Sequence, residues 1–227
     1  FDILWCPAFA TFSLVLKEND ESHVAKLCLE NYRSAVHLSS LFQMDTPRDA
    51  FIKSLQHFSL LGTAKPLTYK NVEAIKMMLH IAYTEGDYLK DSWGVILQCI
   101  SEYDKLMRRS PASQTSVDVF DSTSSTRESK RSRKSVSGTQ KKASQVLHSN
   151  AEILREQLDP ALVDRVFTHS AHLSSDAIVD FVRNLSQVSQ TEVYTMNETP
   201  RVFSLQKIVE ITYYNMNRIR LVWTRIW

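Results

Sequence analysis

Three neighbouring residues carry the side chains best suited to chemistry: His169, Ser170 and His172. Two histidines three positions apart would share one face of a helix, but a zinc site needs further ligands, and no nearby cysteine or carboxylate completes such a set. Ser170 could be a nucleophile with His169 as its base, yet the glycines of a nucleophile elbow and a plausible oxyanion hole are missing. We therefore predict no metal site here and interpret the two histidines as solvated or capping residues.

Two pairs of acidic residues, Asp87 with Asp91 and Asp176 with Asp180, have a spacing that general acid–base catalysis could use. Each pair fits a helix end or a solvated helix face better. The chain has only 4 glycines, and it contains neither a G-x-G-x-x-G motif nor a phosphate loop. We therefore predict that the chain is not an enzyme and uses no cofactor.

The composition is that of an ordinary globular protein, with 43% hydrophobic and 23% charged residues among 227. No apolar run reaches the ~18 residues that a membrane-spanning helix requires. The 3 cysteines, Cys6, Cys28 and Cys99, lie far apart without C-x-x-C spacing, so we expect reduced thiols in a cytosolic setting. Because the chain begins at Phe1 and stops at Trp227 within an apolar pattern, we expect a fragment of a longer protein.

Apolar residues recur at spacings of three and four along most of the chain, and no segment alternates as a strand would. Helix starts are predicted at Thr46-Pro47 and at Asp159-Pro160, where a capping side chain precedes a proline. The last pattern predicts one long helix from Leu205 to Ile226. The other predicted helices include a stripe from Val24 through Leu27 and Leu38 to Phe42, a helix from Val72 to Ala82 ended by Gly86, one from Trp93 to Met107, and one that starts at Ser174 or Ser175.

Pairing these helices gives units of about forty residues, the length of HEAT or armadillo repeats. The predicted fold class is therefore all-α, an α-solenoid of HEAT/armadillo-like repeats, although a helical bundle would show the same periodicity. We predict one continuous solenoid formed by residues 1–108 and 146–227, with an insertion at residues 109–145.

The insertion is rich in serine and lacks apolar periodicity, so we predict that it is disordered. From Arg108 to Ser144 there are nine basic and three acidic residues, a net charge of +6, which leaves −4 on the rest of the chain. A solvated loop would explain this composition. A functional alternative is an electrostatic contact with anionic lipid or a partner, tuned by phosphorylation. No aromatic residues interleave with the basic ones, so we predict no nucleic-acid partner. The candidate contacts are Lys130, Arg131, Arg133 and Lys134, and the candidate phosphorylation sites are Ser110, Ser132, Ser135 and Ser137.

The predicted last helix carries a second basic surface. At 100° per residue Lys207, Tyr214, Arg218 and Arg225 fall within about 20° of one another, opposite the apolar stripe, and Arg220 lies near its edge. Such a row could contact an acidic protein or lipid headgroups. Alternatively, the aromatic residues of this helix belong to the core and the arginines lie on its opposite, solvated face.

Several segments resemble a known family. They are Phe42–Phe51, Asn71–Lys76, Thr84–Leu89 with Ser92-Trp93, Ala177–Val182 and, longest of all, Pro200–Trp223. Together they resemble the first "homology downstream of Sec-seven" domain of large Arf guanine-nucleotide exchange factors, in the trans-Golgi, brefeldin-A-inhibited (Sec-seven/BIG) branch. The resemblance covers nearly all of the chain outside the insertion.

This resemblance implies an α-solenoid regulatory domain on a cytoplasmic protein that associates peripherally with Golgi and trans-Golgi membranes. The implied partners are Arf-family GTPase in its GTP state, anionic Golgi membrane and the upstream exchange domain of the same chain, and a homodimer of the parent protein is open. Nucleotide exchange belongs to that upstream domain, so none is expected here. A structural spacer or dimerisation element is the alternative function.

Overall fold

The computed structural model describes residues 1–109, 138–194 and 200–226, and the described residues form helices without any strand. This confirms the predicted all-α class. The helices are α1 (Trp5–Glu18), α2 (Ser22–Leu41), α3 (Asp45–Ser59), α4 (Tyr69–Thr84), α5 (Ser92–Arg109), α6 (Gly138–Gln157), α7 (Pro160–Thr168), α8 (Ser175–Tyr194), α9 (Phe203–Tyr214) and α10 (Arg220–Ile226), with 3₁₀ turns at Gly86–Tyr88 and His169–His172.

The helices stack in two layers, as in a repeat solenoid. Helices α1, α3, α5, α8 and α10 contact one another in that order and form the first layer. Helices α2, α4, α7 and α9 do the same in the second layer, and α6 packs against α5. Each helix therefore buries one face on its layer neighbours and another on the opposite layer, which is how helical repeats share a continuous core.

Large buried aromatic residues pack between neighbouring helices, both across the two layers and within the first layer. Tyr32 and Phe51 are fully buried, with ring centroids 5.1 Å apart in an edge-to-face arrangement. Further along, Trp93 and Phe181 meet at 4.5 Å with the same geometry. Edge-to-face pairs add stabilisation beyond their buried area, so these contacts fix the relative positions of successive helices.

The proline-based helix starts have mixed outcomes. The start at Asp159-Pro160 is confirmed, because the Asp159 carboxylate accepts a hydrogen bond from the backbone N–H of Ala161 at 2.9 Å. The start at Thr46 is wrong: α3 begins at Asp45, and the residue before it is Met44. The Asp45 carboxylate instead accepts a hydrogen bond from the side chain of Arg48, and the helix begins two residues before the predicted first position, Pro47.

The predicted buried faces are partly wrong. Leu27 and Leu38 are exposed, while Leu29 and Val36 of the same helix are buried. Helix α2 contacts α1, α3 and α4, so its buried surface is wider than one stripe and is rotated from the predicted one.

The predicted single helix from Leu205 to Ile226 is also wrong, because α9 ends at Tyr214 and α10 begins at Arg220. The buried Asn215 amide donates to the hydroxyl of Ser170 at 3.0 Å and to the carbonyl of Ile211. Side-chain bonds of this kind compete with helix continuation.

The division of the chain into two solenoid parts and an insertion remains a prediction. Helix α6 begins at Gly138, inside the range 109–145 that the sequence assigned to the insertion. No helix within the described ranges is long and apolar enough to cross a membrane.

Candidate functional site

Lys207, the first member of the predicted basic row, is held by internal contacts. Its ammonium lies 2.9 Å from Glu210 and 3.1 Å from Asp164, and it sits over the rings of Phe167 and Phe203. Burial lowers the pKa of Lys207, but the hydrogen bonds to Glu210 and Asp164 outweigh it and raise that pKa overall. This lysine therefore ties α9 to α7.

Arg218 closes the segment between α9 and α10 over the second 3₁₀ turn. Its guanidinium donates to the carbonyl oxygens of Ser170, Ala171 and Leu173 at 3.0, 3.2 and 2.6 Å. Burial lowers the pKa of Arg218, against an opposing effect of Asp87. The charge thus satisfies backbone carbonyls of a helix end, a structural use.

The remaining members of the row lie at the surface but on no common face, because the helix is interrupted. Arg225 pairs with Asp176 at 2.6 Å, with both side chains at least half exposed. Tyr214 is 37% exposed and lies edge-on to Tyr213. Arg220 is exposed at the start of α10. The structure therefore does not bring the predicted row together as one surface.

The candidate residues of the insertion lie outside the described residues. They are Lys130, Arg131, Arg133 and Lys134, proposed as electrostatic contacts, and Ser110, Ser132, Ser135 and Ser137, proposed as phosphorylation sites.

The histidine pair belongs to a stack of planar groups that joins three elements. The His169 ring lies 4.3 Å from the Tyr83 ring of α4 and 5.1 Å from the His172 ring, which is nearly parallel to it. The Arg165 guanidinium of α7 lies over the same Tyr83 ring, 4.8 Å from its centroid. We call Arg165, Tyr83, His169 and His172 the planar stack.

The two carboxylates beside the planar stack already have partners. Glu85 is buried and accepts a hydrogen bond from His37 at 2.9 Å. Asp87 accepts from the backbone N–H of Ser174 at 2.7 Å, at the start of α8. Burial and the positive charge of neighbouring groups lower the pKa of His169, although Asp87 opposes the shift.

The other residues considered for catalysis make structural or surface contacts. Ser170 is fully buried and accepts a hydrogen bond from Asn215, so its hydroxyl faces a side-chain amide rather than a substrate. Asp176 and Asp180 each pair with an arginine of the surface, Arg225 and Arg183. Among the described residues no group of three histidine, cysteine or acidic side chains could hold a metal ion.

Sequence reasoning missed the planar stack, since Tyr83 and Arg165 lie 82 positions apart in the sequence. The one signal in the sequence was the H-x-x-H spacing itself, which pointed to a metal rather than to ring stacking.

Comparison with known proteins gives the family. No family model matches the chain. It is 36% identical over 261 residues to brefeldin A-inhibited guanine nucleotide-exchange protein 3 of Arabidopsis thaliana, with all of this chain and 15% of that protein aligned. It is 37% identical over 249 residues to protein 1 of Homo sapiens, with all of this chain and 13% of that protein aligned.

A second Arabidopsis thaliana relative, protein 2, is 36% identical over 98% of this chain and 14% of its own length. The chain thus spans about one seventh of the length of the relatives it matches. Similarity over the whole chain confirms the family resemblance seen in the sequence, and the chain belongs to the family of brefeldin A-inhibited guanine nucleotide-exchange proteins.

Proposed function

We propose that this chain is a noncatalytic regulatory domain of an Arf guanine-nucleotide exchange factor, corresponding to the first domain downstream of the exchange domain. It binds Arf-GTP and anionic membrane and so recruits the cytoplasmic parent protein to the Golgi and trans-Golgi network. The observation that carries the proposal is the whole-chain similarity to guanine nucleotide-exchange proteins.

Recruitment by the product of exchange, Arf-GTP, would give positive feedback. A single acyl chain, such as that of Arf, binds a membrane only marginally, and a second weak contact raises the residence time through effective concentration. Autoinhibition needs a competing contact between this domain and the upstream exchange domain, with different affinities in the two states.

The surface residues that we propose for these contacts are Tyr214, Arg220 and Arg225, together with the basic and serine residues of the insertion named above. Lys207 and Arg218 belong to the row predicted from the sequence, but their internal hydrogen bonds mean that substituting them also perturbs the fold. Tests of binding therefore belong on Arg220 and Arg225, which are exposed.

The test is flotation of the domain with liposomes that carry membrane-anchored Arf, comparing Arf-GTP, Arf-GDP and no Arf at low and high salt. The double variant Arg220→Glu/Arg225→Glu is expected to float about thirtyfold less, since each basic residue near an anionic surface contributes about 1 kcal/mol. Arg183→Glu is the matched control, because Arg183 also forms an exposed pair with an aspartate of α8.

Flotation that needs GTP on Arf and is lost in the double variant supports the proposal. Flotation that is unchanged by the double variant contradicts the site. Flotation that ignores Arf and falls with salt would reduce the domain to an electrostatic tether.

A structural spacer or dimerisation element is the second candidate, and one observation favours it. Apolar side chains on and after α9 are exposed, namely Leu205, Val209, Tyr213, Met216, Ile219 and Leu221. A contiguous apolar surface of this kind often marks a protein contact. Self-association in analytical ultracentrifugation, without binding to Arf or liposomes, would favour this function.

A further inference from the structure

The planar stack exposes a guanidinium, a phenol ring and an imidazole to solvent in one place. Arg165 and His172 are exposed and Tyr83 is 39% exposed, whereas His169 between them is half-buried. Because the guanidinium lies against the Tyr83 ring, its orientation is fixed by a cation–π contact. This contact restrains the Arg165 side chain before any ligand binds.

Arg165 gives the stack a positive charge that the fold leaves unmatched. Among the described residues, Arg165 has its ring contact with Tyr83 but no carboxylate within ion-pair distance. The charged and titratable groups that face the two histidines are Tyr83 of α4, Asp87 of the first 3₁₀ turn, Arg165 of α7 and Arg218 after α9. Only Asp87 is acidic, and it is engaged by Ser174.

The same layer continues this surface toward α2. His80, one turn before Tyr83 on α4, is exposed and lines a groove of about 230 Å³ between α2 and α4. The groove also contains Lys26, Arg33 and Lys76, with the acidic residues Glu30 and Glu73 as their counterparts. Arg33 pairs with Glu30 at 2.8 Å and Lys76 with Glu73 at 2.7 Å, which leaves Lys26, within the described ranges, as the unmatched cation of the groove. Lys26 and Arg165 together favour an anionic partner long enough to reach from α7 to α2.

We propose that the planar stack is the docking site for an acidic protein segment, whose carboxylates bind Arg165 and the two histidines and whose chain continues along the α2–α4 groove. The Arg165 guanidinium lies over the Tyr83 ring without an ion-pair partner among the described residues, so its N–H groups can donate a bidentate bond to a carboxylate. An imidazole next to a carboxylate gains a proton, so docking takes up protons. The proposal does not rest on Arf or membrane binding.

An acidic protein segment fits better than a membrane surface. The stack includes residues of α4, α7 and the second 3₁₀ turn, and the groove between α2 and α4 begins one helical turn away at His80. A groove can accommodate an extended peptide segment. A flat bilayer would need its basic contacts on a projecting surface instead.

The experiment measures binding of a labelled decaglutamate peptide to the whole chain, without Arf or lipid and at low salt, where screening of exposed charges is weakest. We expect affinity to rise about fivefold or more from pH ~7.5 to pH ~6, because a docked carboxylate favours the protonated form of His169, whose pKa burial keeps low in the unbound chain. Calorimetry in two buffers with different heats of ionisation should show uptake of protons on binding.

Three variants separate the contributions. Arg165→Gln should weaken binding about tenfold at both pH values, as expected for one lost charge-assisted contact. His169→Gln/His172→Gln should abolish the pH dependence and the proton uptake while leaving binding at the higher pH nearly intact. Lys53→Gln, an exposed cation on α3 in the other layer, is the control and should bind as the unmodified chain does.

Three results would overturn the proposal. They are pH-independent binding, equal loss in Lys53→Gln and Arg165→Gln, and absence of peptide binding at either pH. Vesicles with about one third phosphatidylserine provide the further arm. If the stack variants lower vesicle binding but leave peptide binding unchanged, the surface recognises lipid and the assignment to a protein segment is wrong. Circular dichroism melts of each variant exclude loss of fold as the cause.

Discussion

Arg48 offers the sharpest test of how this fold is held together, because it is a nearly fully buried charge with four hydrogen bonds. It is 2% exposed, and it donates to Asp45 at 2.7 Å, to Asp49 at 2.7 and 3.0 Å, and to the carbonyl of Tyr88 at 2.7 Å. The same carboxylates bind Lys90 and Ser92 at the start of α5. This cluster therefore connects α3 to α5.

We expect Arg48→Met to lower the free energy of unfolding by about 3 kcal/mol. Removing one partner of a buried pair costs about 3–5 kcal/mol, and the lower end applies because Asp45 and Asp49 retain access to water. For a domain of this size the midpoint of thermal unfolding should fall by about 6–12 °C. Urea denaturation followed by circular dichroism measures the change directly.

Lys90→Met is the matched control, since Lys90 binds the same Asp45 but is half exposed. Exposed pairs contribute about 0–1 kcal/mol, so this variant should be nearly as stable as the unmodified chain. Equal costs for the two variants, or a cost below about 1 kcal/mol for Arg48→Met, would refute the reasoning that burial makes the arginine important.

The same cluster predicts the pH dependence. A hydrogen bond from Lys90, helped by Arg48 and opposed by burial, lowers the pKa of Asp45 below its ordinary value. A carboxyl with a lowered folded-state pKa contributes stability above its unfolded pKa and loses it as pH falls through the folded one. Unfolding free energy should therefore decline below pH ~4, and Asp45→Asn should flatten that decline.

Three further predictions concern packing, capping and thiols. In Gly94→Ala the new Cβ would lie 2.8 Å from the Asn184 side-chain oxygen, so that side chain must move and strain its hydrogen bonds to the carbonyls of Lys90 and Asp180. We expect a loss of about 1–3 kcal/mol by urea denaturation, and an unchanged midpoint would contradict that close approach. Asp159→Ala should cost about 1 kcal/mol and Asp159→Ser far less, because the cap hydrogen bond is the cause. Burial raises the pKa of Cys99 to about 12, so a thiol reagent should label the exposed Cys6 quickly and Cys99 only after unfolding; fast native labelling of Cys99 would refute its burial.

Most helices could be predicted from the sequence because their signals are local. The apolar period and the Asp159-Pro160 start act within a few residues, and both predictions hold. The Thr46 start failed because Asp45 binds Arg48, a local contact that the cap rule does not include. The last helix failed for a different reason: Asn215 is drawn to Ser170, which is distant in sequence.

The site was harder to predict because its groups meet only through tertiary structure. Helical spacing placed Lys207 and Arg218 on one face, but the carboxylates and carbonyls that engage them come from α7 and the second 3₁₀ turn. The planar stack depends on Tyr83 and Arg165, whose contact no local pattern reveals. Hydrophobic periodicity predicts which face of a helix is apolar. It does not predict which groups of a neighbouring helix or turn will bind a charged side chain.

The hydrogen bonds of Arg218 connect the start of α10 to the turn that carries His169 and His172. Its guanidinium donates to three carbonyls in and directly after that turn, and Arg218 lies only two residues before the first residue of α10. A partner that displaced α10 from α8 would break the hydrogen bonds of Arg218 and leave those carbonyls without a donor. Arg218 therefore links the position of α10 to the backbone that carries the two histidine rings.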